Sequence, residues 1–223
     1  MARINQGILG PFSGKVGEVI GSSWKGIPYI KARPTQFHDA KTPKQLTHRM
    51  KLQTAHGFAR SIKPLIEIGF RNVMGNQTPY NNAVSYLMKN ALVGEYPEVG
   101  IDPSKVMVSQ GTLAGAEDCS VSTEDSSIST DDCSASTKEV GTIAFSWGEA
   151  SSEGNASPED QAFLLAYNFT KQEGVSNHLF RKDKSGSIKI PKKWEGDSIA
   201  CYIFFASVTN KEVSNSEFLG IIG

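Results

Sequence analysis

The sequence predicts an α+β protein: an N-terminal β-hairpin with a helical hairpin, followed by an all-β sandwich of the immunoglobulin or fibronectin-III kind. Three observations predict it. Glycines at Gly7, Gly10, Gly14, Gly17 and Gly21 punctuate a strand-like opening. Two segments with helix-start chemistry follow, at Thr42-Pro43 and Thr78-Pro79. After Pro97 the apolar period changes from that of a helix to that of a strand. The expected division is therefore a Gly-rich arm, hairpin and two-helix region over residues 1–97 and a sandwich over residues 101–223, carrying a Ser/Thr/Asp heptad-repeat insertion at 118–138.

The opening hairpin is expected over residues 14–34. One strand reads KVGEVIGSS and the other GIPYIKARP, joined at Trp24-Lys25-Gly26. Pro28 cannot donate to a ladder, so its strand must be an edge or a bulge. The first helix starts with Thr42 as N-cap, Pro43 at the first helical position and Gln45 completing a capping box. Leu46, Met50, Phe58, Ile62 and Leu65 form its apolar stripe, and Pro64 should kink or end it. The second helix repeats the device with Thr78 and Pro79, and Gly94 reads as its stop. Two tandem helices need a flat partner, and the N-terminal hairpin is the expected one.

Strands are expected near 104–110, 142–148, 161–168, 178–182, 186–191, 198–207 and 216–222. Phe145 and Trp147 alternate with Ser146, placing two aromatics on one face. The run IACYIFF is apolar on both faces, as a central strand would be. Trp194 is expected to plug the end of the sandwich. Residues 118–138 repeat three times at a period of seven: DCSVSTE, DSSISTD, DCSASTK. One apolar residue per heptad cannot make a coiled-coil seam. The alternation suits exposed edge strands or a solvated loop, and the glycine and terminal Glu of a calcium loop are missing.

Composition narrows function. Residues 1–110 hold 14 Lys+Arg against 6 Asp+Glu, and residues 111–223 hold 9 against 17. The split suits two regions of opposite charge, a subunit whose basic end meets the acidic end of the next copy, or a basic face for nucleic acid. No apolar run approaches 18 residues, so no membrane span is expected, and the N-terminus lacks the pattern of a secretory signal. The expected location is the cytoplasm before assembly, or a virion-like particle. Cys119, Cys133 and Cys201 match no zinc spacing and no disulfide framework.

Candidate chemistry is sparse. Gly10-Pro11-Phe12-Ser13-Gly14-Lys15 is one residue short of a phosphate loop, and Val16 stands where Ser or Thr would hold magnesium. His38, His48, His56 and His178 make no metal spacing, and no Ser/His/Asp or Cys/His constellation stands out. No catalytic residue, cofactor site, metal site or small-molecule substrate is expected. Gly14, Gly17, Gly21, Trp24, Lys25, Gly26, Tyr29 and Arg33 are instead expected as assembly contacts, because glycine allows close backbone approach. The expected function is that of a non-enzymatic structural or assembly subunit, with other structural proteins or further copies as partners. A glycan- or protein-binding module and a nucleic-acid-associated protein are the alternatives.

The N-terminal string carries a resemblance. It runs Ile4-x-x-Gly7-Ile8-Leu9-Gly10-x-Phe12-Ser13-Gly14-Lys15-Val16-Gly17-x-Val19-x-Gly21-x-x-Trp24-Lys25-Gly26-Ile27-x-Tyr29-Ile30. Ile68-Gly69-Phe70, Ser109-Gln110-Gly111, Phe145-Ser146-Trp147, Pro191-x-x-Trp194-x-Gly196-Asp197 and Ser214-Asn215-Ser216 extend it over nearly the whole chain. These residues resemble an uncharacterised family of Bacteroidota proteins. Its membership implies no activity and no catalytic residue. A basic Lys31–Pro34 stretch before Thr42-Pro43-x-Gln45-x-x-x-Arg49 is also similar to the openings of phage and prophage structural proteins.

Overall fold

The computed structural model describes residues 3–4, 10–36, 39–72, 77–124, 141–149, 155–208 and 211–223. The described residues form a mixed α/β fold with N-terminal strands, three α-helices and several antiparallel sheets. The chain divides into two compact units, Met1–Thr42 and Pro43–Gly223.

The first unit is a four-stranded antiparallel sheet in sequence order: β1 (Arg3–Ile4), β2 (Phe12–Val16), β3 (Val19–Trp24) and β4 (Ile27–Ala32). The expected hairpin is thus longer by one turn. The run read as a single strand KVGEVIGSS breaks at Gly17-Glu18, where Gly17 takes φ +56° and a two-residue turn returns the chain. The second turn falls where expected: Lys25 and Gly26 both have positive φ, +47° and +82°, the signature of a type I′ hairpin. Pro28 lies on β4, at the edge of the sheet.

The second unit begins with α1 (Pro43–Ser61), α2 (Lys63–Gly69) and α3 (Pro79–Asn90). Pro64 ends the first helix as expected, since its ring cannot accept a continuing helical turn before it. Thr78 Oγ1 accepts the Asn81 amide at 3.2 Å, capping α3. Gly94 is not the helix stop. The helix closes at Ala91, whose amide bonds Leu87, and Gly94 instead takes φ +86° in a hairpin of β5 (Leu92–Glu95) and β6 (Glu98–Ile101).

A short 3-10 turn at Pro103–Lys105 replaces the strand expected over 104–110. Val106 and Val108 are buried there without a strand partner. Their alternation reflects two inward-facing side chains on irregular backbone. Seven strands follow among the described residues. They are β7 (Ser120–Glu124), β8 (Thr142–Ser146), β9 (Gln161–Asn168), β10 (Glu173–Phe180), β11 (Ser185–Lys189), β12 (Ile199–Ala206) and β13 (Glu217–Ile222). They form a four-stranded sheet in the order β10-β9-β12-β13 and a three-stranded sheet β11-β8-β7. The first heptad unit forms β7, an edge strand; the rest of the 118–138 repeat lies outside the described residues.

The four-stranded sheet is buried on both faces. Ala162, Leu164 and Ala166 of β9 and Cys201, Ile203 and Phe205 of β12 point toward β8 and β11, meeting Ile143, Phe145, Trp147 and Ile188. The alternate residues Phe163, Leu165, Tyr167, Tyr202 and Phe204 point the other way, toward Phe58, Ile62, Leu65, Ile66, Val84 and Leu87 of the helical segment. Phe58 meets Tyr167 edge-on at 4.6 Å between ring centroids. The layer under the helices is therefore this sheet. The physical reason is in IACYIFF: a strand apolar on both faces demands a layer on each side. For the same reason the break expected between residues 97 and 101 is not where the compact units divide. The helices and β9–β12 share one core, and the division falls at Thr42/Pro43.

Candidate functional site

The residues singled out from sequence all fall in the first unit. Cross-strand partners share a face of a sheet, and alternate residues switch face. The register pairs Val16 with Val19, Gly14 with Gly21, Val19 with Ala32, Gly21 with Ile30 and Ser23 with Pro28. Phe12 joins them by alternation from Gly14. One face therefore reads Phe12, Gly14, Val16, Val19, Gly21, Ser23, Pro28, Ile30 and Ala32, with no charge anywhere on it. The other face carries Lys15, Ile20, Ser22, Trp24, Ile27, Tyr29 and Lys31.

The apolar face has almost no core beneath it. Gly21 is the one buried residue between Gly10 and Gln36. Val16 is 51% exposed and Ile30 65%. Gly21 is indispensable to this surface. A Cβ there would lie 2.2 Å from the Phe12 carbonyl oxygen and 2.6 Å from the Phe12 ring, so the ring lies over the glycine. Gly14, opposite it, takes φ +116°, a region closed to L side chains.

The eight expected contact residues thus separate by role. Gly17, Lys25 and Gly26 shape the two turns. Gly14 and Gly21 are cross-strand partners on the apolar face, with the Phe12 ring over Gly21. Trp24 and Tyr29 stand on the opposite face, as does Arg33 just beyond β4. The sequence reading did not single out Phe12, Val16, Val19 and Ile30, the large apolar side chains that share this face. The signal was present: once a turn is placed at Gly17-Glu18, period-two alternation puts all four on one side.

In the second unit the prominent residues serve packing. Trp194 is buried among the sheet residues, and its indole Nε1 donates to Glu173 Oε2 at 3.3 Å. Its ring packs within the core between the two sheets. Ser109 and Ser214 are buried and joined: Ser109 Oγ donates to the Ser214 carbonyl at 2.6 Å, and Ser214 Oγ accepts the Phe205 amide at 2.9 Å. Ser216 Oγ accepts the Val108 amide at 2.8 Å, and Asn215 Oδ1 the Gly111 amide at 3.1 Å. The Ser109-Gln110-Gly111 and Ser214-Asn215-Ser216 segments are therefore one polar clasp that satisfies irregular buried backbone.

Arg181, which nothing in the sequence distinguished, is also buried. It donates to the Gly115 and Ala114 carbonyls at 2.8 and 2.6 Å, and its guanidinium carbon lies 4.0 Å from the Phe205 ring centre. Asp160 Oδ2 stands 3.7 Å from its Nε. Burial lowers the Arg181 pKa from its ordinary value, while Asp160 opposes that shift. The cation pins the 114–115 segment to the core. Beside it, burial first and the Glu217 carboxylate second push the Cys119 thiol up to about 12, and burial alone pushes Cys201 to about 12. Neither is a thiolate at neutral pH, so neither is a nucleophile there. Among the described residues no three His, Cys, Asp or Glu side chains are placed to hold a metal ion. No helix among them is long and apolar enough to cross a membrane.

A family model described as a family of unknown function (DUF6266) matches residues 11–220. The chain belongs to this family. The DUF6266 match runs from β2 into β13 and so reaches into both units. Neither the curated proteins nor the solved structures contain a match to this chain.

Proposed function

We propose that this DUF6266 chain is a non-enzymatic structural subunit that joins further copies of itself through the apolar face of its N-terminal sheet. The assembly is a phage-like particle, a filament or a surface array, in keeping with the likeness of its opening to phage and prophage structural proteins. One observation carries the proposal: Phe12, Val16, Val19 and Ile30 form an uncharged face on a sheet in which Gly21 is the one buried residue between Gly10 and Gln36. An exposed apolar patch of this kind marks an interaction surface. A small sheet with no core gains stability when such a face is covered.

A second copy suits the face. It carries no charge, so the same face of another copy can meet it about a two-fold axis without burying an unpaired ion. Three strands of about 20 Å by roughly 15 Å fall short of the ~800 Å² per partner of a stable pair. A single pairing is therefore weak and closes at two copies, so a particle, filament or array needs a further contact elsewhere on the chain. We further infer that the seven strands β7–β13 form an immunoglobulin- or fibronectin-III-like sandwich that serves as the displayed body. The division into sheets of three and four strands supports this, with β8 and β9, consecutive in sequence, in opposite sheets.

Sedimentation velocity of the full chain across a wide concentration range tests the reading. The apparent mass should rise with concentration. Val16→Lys with Ile30→Lys should hold the protein monomeric without lowering the melting temperature of the second unit. A chain that stays monomeric at all concentrations refutes it.

A further inference from the structure

The opposite face of the N-terminal sheet has a different chemistry. Lys15, Ile20 and Lys31 stand in one cross-strand row, Ser22 and Tyr29 in the next, and Trp24 with Ile27 in the third. The Arg33 amide donates to the Glu18 carbonyl at 2.7 Å, so the ladder, and with it the face, runs on to a third cation. Lys15, Lys31, Arg33, Trp24 and Tyr29 are all exposed. Within residues 10–36 the sole carboxylate is Glu18, in a turn. Among the described residues none of these three cations makes an ion pair.

Such a face calls for an anion, and it carries more than charge. Trp24 is 52% exposed and Tyr29 44%. They are diagonal neighbours across β3 and β4, about 7 Å apart at the backbone. An acidic protein surface would satisfy the cations and leave two large rings idle. A polymer that alternates phosphates with flat π-faces uses both, and single strands expose their bases for stacking as duplexes do not. We propose that this face binds single-stranded nucleic acid, with Lys15, Lys31 and Arg33 on phosphates and Trp24 and Tyr29 stacked on bases. The inference stands apart from the assembly proposal, which uses the other side of the same sheet.

Fluorescence anisotropy of a labelled single-stranded oligothymidine of ~20 nucleotides, titrated with the full chain, tests it. Binding should appear at low salt and weaken with a log–log slope near −2, about 0.7 for each of three phosphates. Trp147 and Trp194 are buried, so quenching of tryptophan emission on binding reports Trp24. Lys15→Glu with Lys31→Glu should lower affinity more than about tenfold. Lys31→Gln alone should reduce the slope by ~0.7, a readout that a folding defect would not give. Trp24→Ala should weaken binding about tenfold and leave the slope unchanged. Circular dichroism should match the parent for every variant. Three results would each overturn the proposal: no binding at low salt, binding indifferent to the Lys15 and Lys31 reversals, or binding matched by heparin with no tryptophan quenching. The last would mark the face as a site for acidic surfaces in general.

Discussion

The two compact units treat the residues of the family resemblance in opposite ways. In the Pro43–Gly223 unit the large aromatic ones are explained by burial. Phe145, Trp147 and Trp194 fill the layer between the two sheets. A Cβ on Gly69 would strike the Val108 carbonyl at 2.3 Å, and one on Gly111 the Val213 carbonyl at 2.0 Å. Ser109 and Ser214 satisfy each other's surroundings. In the N-terminal sheet the same kind of residue lies in the open: Val16, Trp24, Ile27, Tyr29 and Ile30 are all exposed. A residue type that packing demands carries no information about partners. A large apolar or aromatic side chain that packing does not demand does carry it. The comparison therefore moves the search for function onto about twenty residues of the first unit.

The sharpest way to break this contrast is to remove Arg181. If the second unit is a packed scaffold, Arg181→Ala leaves Asp160 buried without its cation and the Ala114 and Gly115 carbonyls without donors. The loss should be about 3–5 kcal/mol in denaturant unfolding followed by the buried tryptophans. A loss below about 1 kcal/mol would mean that the guanidinium is not structural. Gly21→Val should act on the other unit alone. The new side chain forces β2 and β3 apart at Phe12, at a cost of roughly 1–3 kcal/mol or more. Trypsin should then cut at Lys15 and Lys25 far faster than in the parent, while the main thermal transition stays in place. The smallest effect is chemical. In a Cys133→Ser variant, which leaves Cys119 and Cys201, a thiol reagent at pH 8 should find almost no reactive thiolate. Both folded-state values lie near 12, well above the working pH. Two thiols should appear on denaturation, and a fast-reacting thiol in the native state would contradict the raised values of half-buried Cys119 and buried Cys201.

Local chemistry made much of the fold legible. The Pro43 and Pro79 helix starts and the Pro64 break were all readable, because proline and capping residues act within a few positions. Strands β8, β9, β12 and β13 were readable because their apolar residues alternate or run unbroken. What failed was non-local. The partner of the helices could not be read, since nothing in residues 43–90 says which sheet lies beneath. Gly94 looked like a helix stop because a positive-φ glycine serves a hairpin as well as a C-cap. The alternation of Lys105-Val106-Met107-Val108 mimicked a strand where the backbone bonds to a serine side chain instead. Arg181 sits in a Phe-Arg-Lys-Asp turn, where sequence alone gives a surface cation. The candidate surface was half legible: its glycines and aromatics stood out, but its apolar side required the turn at Gly17-Glu18.

The doubly covered sheet also dictates a timetable. The helices of residues 43–90 leave the ribosome well before β9 and β12, whose residues 161–206 they cover. At ~5–20 residues per second the delay is on the order of ten seconds. Through that interval Phe58, Ile66 and Leu87 have no sheet to bury against. The nascent chain must therefore wait with its helical stripe uncovered, and truncation anywhere before β12 should yield a sticky fragment in place of a smaller folded protein.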